Sequence, residues 1–153
     1  MSSIYDKDAD KAQQQLDTIS SSMCYAKWSQ VSMHLTNGMT HSCYHPPTHK
    51  VPLEELEKNV TALHNTEEKK EQRRLMLKGE RPDGCSYCWN IEDQGDRSDR
   101  VYRSGEYWAQ ESRQDIMDAG ASGNINPRYV EVNFNQACNF KCSYCSPHLS
   151  TAW

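Results

Sequence analysis

Apolar and polar positions change their period several times along this chain, and each change marks an element. In "SQVSMHL", Val31, Met33 and Leu35 alternate with polar residues, which predicts a strand. Asn37-Gly38 then predicts a two-residue hairpin turn, with "THSCYH" as the return strand and "PPTHK" as its end. From Pro52 the period becomes helical, with Leu53, Leu56, Val60 and Leu63 on one face. A second helix is predicted from Asn65, which has capping-box spacing to Glu68, and it stops at Gly79. Its face of Lys, Arg and Glu reads as solvated surface. A further amphipathic helix is predicted from about Ser98 to Asp118, with Gly105 as an interruption. "AGASGNINP" reads as a flexible linker. In "RYVEVNF", Tyr129, Glu131 and Asn133 alternate with Val130, Val132 and Phe134, a strand. "SPHLSTAW" reads as a helix start capped by Ser146, with Pro147 in its first turn. Residues 1–22, rich in Asp, Gln, Ser and Lys, read as a loose arm with a short helix near Ala9–Leu16.

Composition narrows the choices. Only 36% of the 153 residues are hydrophobic, so a large apolar core is not available. The net charge of −4 gives no argument for binding nucleic acid or an anionic membrane. No run approaches the roughly 20 apolar residues of a membrane span, and the first residues lack the apolar stretch of a signal peptide. The expected compartment is therefore the cytoplasm, where thiols stay reduced and structural disulfides are rare. No Ser-His-Asp set, phosphate loop or paired-carboxylate site stands out.

The chain nevertheless has seven cysteines, at 24, 43, 85, 88, 138, 142 and 145. An odd number of reduced, clustered thiols points to metal. Cys138, Cys142 and Cys145 follow the last strand in a Cys-x3-Cys-x2-Cys loop. A single zinc wants four ligands and would have to borrow one, His148 being the nearest candidate. An iron–sulfur cube can be held by three corners, leaving its fourth iron open. The other four cysteines form a Cys-x13-Gly-x4-Cys stretch, Cys24 to Cys43, followed far downstream by Cys85-x2-Cys88. Four plus three uses all seven. A zinc ion on Cys24, Cys43, Cys85 and Cys88 fits the same spacing and stays open as an alternative.

"CNFKCSYC" after a strand resembles the cluster loop of the radical S-adenosylmethionine (SAM) enzymes, including the aromatic residue, Tyr144, before the third cysteine. The resemblance implies that Cys138, Cys142 and Cys145 hold a [4Fe–4S] cluster, with SAM on the open iron and Tyr144 beside its adenine. One electron from the cluster would then split the sulfonium bond to give a 5′-deoxyadenosyl radical. The hairpin flanked by Cys24 and Cys43, with the pair Cys85 and Cys88, resembles the auxiliary-cluster domains named SPASM and twitch. Gln94 stands where the longer SPASM pattern has a further cysteine, which favours one auxiliary cluster over two. Here the auxiliary region precedes the triple-cysteine loop, whereas in the family it commonly follows the catalytic barrel.

Together these readings give an α+β chain. A flexible arm, 1–22, leads into a small Cys-rich twitch-like domain of hairpin and helices, 23–119. A linker, 120–127, then joins it to the first βα element of an incomplete radical SAM (β/α) barrel, 128–153. The expected function is that of a C-terminally truncated radical SAM enzyme, inactive alone, with two [4Fe–4S] clusters and SAM. A peptide is the expected substrate class, and flavodoxin or ferredoxin the expected reductant. The alternative is a non-catalytic zinc- or iron–sulfur module for electron transfer or partner docking. His41, His45 and His49, around Cys43, read as exposed loop residues rather than ligands. Arg97 and Arg100 read as ties for their loop, and Trp89, Tyr102, Tyr107 and Trp108 as packing residues.

Overall fold

The computed structural model describes residues 4–135, 137, 138, 140 and 142–147, with side chains from residue 8 onward. His148 and the body of the helix expected after Ser146 lie outside the described residues. The fold is α+β, with eight α-helices and one four-stranded sheet among the described residues. None of these helices is long and apolar enough to cross a membrane.

The sheet is built on the hairpin. Strand β1 (Gln30–His34) pairs antiparallel with β2 (Met39–His41), and β2 pairs antiparallel with the short β3 (His49–Lys50). The turn differs from the two-residue form. Four residues, 35–38, connect His34 to its partner Met39, and of these only Gly38 takes positive φ, at 69°. A two-residue Asn-Gly turn would require Asn37 there as well. Asn37 instead accepts a 3.0 Å hydrogen bond from the Met39 amide through its side chain. On the other side of β1, strand β4 (Tyr129–Asn133) pairs in parallel over five register positions, from Gln30↔Tyr129 to His34↔Asn133. The strand assigned to a separate unit at 128–153 therefore shares a sheet with the hairpin of the 23–119 unit. One of its faces stays open, with Val130 and Phe134 exposed.

Two segments expected to be loose are packed. Residues Ile4–Asp17 form helix α1, which lies along α6 (Asp99–Gly105) and buries Ala9, Ala12 and Leu16 completely. Small residues three and four apart give it a narrow apolar stripe on an otherwise polar helix. Gly105 is part of this contact, since a Cβ there would stand 3.1 Å from the Asp8 carbonyl oxygen. The linker 120–127 is pinned at two points. Trp28 Nε1 donates to the Gly120 carbonyl at 2.7 Å, and buried Ile125 exchanges backbone hydrogen bonds with the Asn65 side chain.

The helices also differ from expectation in detail. The first, α3 (Leu53–Lys58), buries no residue and ends at Asn59, leaving Val60 exposed. The next, α4 (Glu67–Leu77), is capped by Thr66, whose hydroxyl accepts from the Lys69 amide, while Asn65 is used as the clip for Ile125. Gly79 follows its end at φ 80°, as a C-terminal cap requires. The expected solvated face of α4 is a correction: Lys69 and Arg73 are fully buried. They sit one turn apart and face the hairpin and the buried helix α2 (Ala26–Ser29). The segment from Ser98 to Asp118 is three helices rather than one: α6, then α7 (Tyr107–Glu111) and α8 (Arg113–Ala119), broken at Glu106 and Ser112.

Candidate metal centre

Cys24, Cys43, Cys85 and Cys88 come from three parts of the chain and line one cavity. Cys24 lies in the buried run ahead of α2. That run is fixed by Ser20 and Ser22, whose hydroxyls donate to the Met76 carbonyl at 2.5 and 3.1 Å, and by Tyr25, whose amide donates to Ser104 Oγ. Cys43 lies two residues past β2, where His41 Nδ1 contacts the Cys43 carbonyl. Cys85 ends a 3-10 turn, Asp83–Cys85, and Cys88 is in α5 (Ser86–Glu92), so the two thiols lie one helical turn apart on the same side. Pro82 starts this turn, and its carbonyl accepts from Trp89 Nε1 at 2.9 Å.

The space around these thiols is about 390 Å³ including its open mouth. Cys24, Cys85 and Cys88 are only 5–6% exposed. All four are unpaired thiols. Among the described residues, no three His, Cys, Asp or Glu side chains are gathered closely enough to hold a single metal ion.

Their electrostatics show how closely they are grouped. Burial pushes the Cys43 thiol up to about 12, with Cys24 and Cys85 raising it further. Burial pushes Cys88 up to about 11, again reinforced by Cys24 and Cys85. Cys24 is raised by burial and then by Cys85. Each of these thiols thus resists ionisation partly because the others would ionise beside it. Opposing effects come from Lys27 at Cys24 and Cys43, from Arg100 at Cys24, and from hydrogen bonds to sulfur. The backbone amides of His45 at Cys43 and of Arg100 at Cys88 act in the same lowering direction. Such donors favour the thiolate that a metal requires.

The residues around the cavity are held by one another. Arg100 makes hydrogen bonds to both carboxylate oxygens of Glu92, at 2.8 and 3.1 Å, and to the Met23 carbonyl at 2.7 Å. Arg97 pairs with Asp10 of α1. Both arginines therefore tie down their loop. His45 lies 2.8 Å from Asp99 and stacks on Tyr87, His49 lies against Thr66, and His41 lies against His34. Each of these histidines is engaged with protein partners. Trp89 packs between the guanidinium groups of Arg81 and Arg100, at 5.3 and 5.6 Å from its ring.

Cys138, Cys142 and Cys145 lie beyond β4 in a loop closed by the Cys145 amide, which donates to the Cys142 carbonyl at 2.9 Å. Cys138 is exposed, Cys142 and Cys145 are half-buried, and Tyr144 is 88% exposed. These three do not line the cavity of the other four. Spacing in the sequence gives no sign of Asp99 or Arg103 as neighbours of the cavity, because each reaches it through tertiary packing. The only signal available for Lys27 is its place in an apolar run, "MCYAKW", where a lysine is out of pattern. The chain matches no family model, no curated protein and no solved structure.

Proposed function

We propose that this chain binds two iron–sulfur clusters, one on Cys24, Cys43, Cys85 and Cys88 and one on Cys138, Cys142 and Cys145. On this reading it is a radical SAM protein with a twitch-like auxiliary region. The observation that carries the proposal is the ring of four unpaired thiols from three chain segments around one buried space. A single zinc ion needs its donors converged at about 2.3 Å from one centre. A cluster takes the same four thiolates on separate corners, one iron to each.

When bound, the three-cysteine cluster would supply one electron to the sulfonium of SAM. The chain's own residues have simpler tasks. Cys138, Cys142 and Cys145 would hold three irons, and exposed Tyr144 offers a ring face to the adenine. Strand β4 carries this loop on the sheet edge beside β1. The hydrogen bonds to Cys43 and Cys88 favour thiolates in the other site. A reducing compartment, the cytoplasm, keeps all seven thiols available. A peptide is the proposed substrate class and a flavodoxin or ferredoxin the proposed electron donor.

The test is anaerobic reconstitution of the full chain with iron and sulfide, followed by electron paramagnetic resonance of the reduced protein with and without SAM. Addition of SAM should change the spectrum of one cluster, and Cys142→Ser should abolish that change. Spectra that are blind to SAM, or stoichiometric zinc with no iron uptake, would overturn the radical SAM reading.

A further inference from the structure

We propose that the buried ammonium of Lys27 is the counter-charge for an anionic cluster on Cys24, Cys43, Cys85 and Cys88, and that it raises the reduction potential of that cluster. This rests on the cluster reading above. Lys27 lines the cavity and is 1% exposed. Its Nζ donates to the neutral amide oxygen of Gln72 at 2.7 Å and forms no ion pair among the described residues. A buried ammonium with only a neutral partner is costly, and natural chains keep one where an anion offsets it.

The neighbouring charges do not supply that anion. Lys69 and Arg73 are also buried, and both are cations. Lys69 bonds to Thr40 Oγ1, and Arg73 to the Lys27 carbonyl and to Asn65 Oδ1. Burial, then the charges of Arg73 and Lys27, lower Lys69 to about 7. The two other cations of the cavity wall are already matched, Arg100 by Glu92 and Arg103 by Glu106. The carboxylate in the cavity wall, Asp99, lies 2.8 Å from His45, so Lys27 is the wall cation left without a carboxylate among the described residues, and it acts on the thiols of Cys24 and Cys43. A cube on four thiolates is a dianion, and accepting one electron makes it a trianion. A fixed positive charge in a low-dielectric wall stabilises the more negative form more strongly. Reduction therefore becomes easier.

The experiment uses the full chain carrying Cys138→Ser, Cys142→Ser and Cys145→Ser, reconstituted anaerobically so that one cluster is read. Its midpoint potential is compared with and without Lys27→Met, and the thermal unfolding of the metal-free proteins is measured alongside. Lys27→Met should lower the equilibrium constant for one-electron reduction at least tenfold, about 59 mV more negative. Without metal it should unfold at the same or a higher temperature, because an unmatched charge has gone. Lys27→Arg, which keeps the charge, should restore most of the potential. An unchanged potential with iron bound, or an equal shift in Lys27→Arg and Lys27→Met, would overturn the inference and leave the cluster reading standing. Failure of the parent chain to take up iron would overturn the cluster reading itself, and this inference with it.

Discussion

Glu92 and Arg100 form a buried ion pair with two hydrogen bonds, and the same arginine reaches the Met23 carbonyl beside Cys24. Their side chains are 15% and 4% exposed. Removing the carboxylate leaves a guanidinium without its charge partner at the wall of the cysteine cavity. Glu92→Ala should therefore destabilise the chain by about 3 kcal/mol in urea unfolding. It should also speed loss of iron from the reconstituted protein, because Arg100 fixes the Met23 carbonyl next to the ligand Cys24. Glu92→Asp should recover part of both effects.

Gly105 tests the docking of α1. A Cβ at this position would press on the Asp8 carbonyl at 3.1 Å and on Ala12 Cβ at 3.5 Å. Alanine favours a helix by up to about 1 kcal/mol, while overpacking costs about 1–3 kcal/mol. Gly105→Ala should come out destabilising by about 1 kcal/mol. Hydrogen exchange should show the loss of protection concentrated in Ile4–Asp17.

Much of the fold is legible in the sequence, and the failures share a cause. The alternation in "SQVSMHL" and "RYVEVNF" locates two strands, although burial alternates along neither: Gln30, Val31 and Ser32 are all buried, and Val130 and Glu131 are both exposed. Gly79 ends α4 because the chain must take positive φ there. The spacing of Cys24, Cys43, Cys85 and Cys88 anticipates that they share a site. Helix α1 is harder to read, since its buried stripe consists of Ala9, Ala12 and Leu16 and carries little hydrophobic signal. Lys69 and Arg73 mislead because long charged residues on a helix usually face water. Here their heads find Thr40 and the Lys27 carbonyl, which are remote in sequence. Lys27 shows in the sequence only as a lysine out of pattern in an apolar run.

Lys69 gives a pH test. Burial and neighbouring cations lower it to about 7, whereas the unfolded chain should titrate near 10.4. Between those values the unfolded state binds more protons, so stability should rise as pH increases. Lys69→Met should stabilise the chain by about 2 kcal/mol at pH 6. That gain should shrink toward pH 10, as followed by urea unfolding across the range.

His64 makes the acid limb. It is 4% exposed, and burial, with Arg73 and Lys69 nearby, lowers it to about 3, while its Nε2–H donates to the Trp28 carbonyl. The imidazole stays neutral in the fold and charges on unfolding. Stability is then complete above pH 6.5 and falls by about 1.4 kcal/mol per pH unit toward the folded value. His64→Gln should lower stability at pH 7 and flatten the decline between pH 6 and 4.

The most direct measurement is iron and acid-labile sulfide per chain in the Cys138→Ser, Cys142→Ser, Cys145→Ser variant after anaerobic reconstitution. The account predicts about four of each, bound without any contribution from the terminal loop and lost when Cys24→Ser is added. One zinc per chain in place of iron, or full iron retention without Cys24, would contradict it.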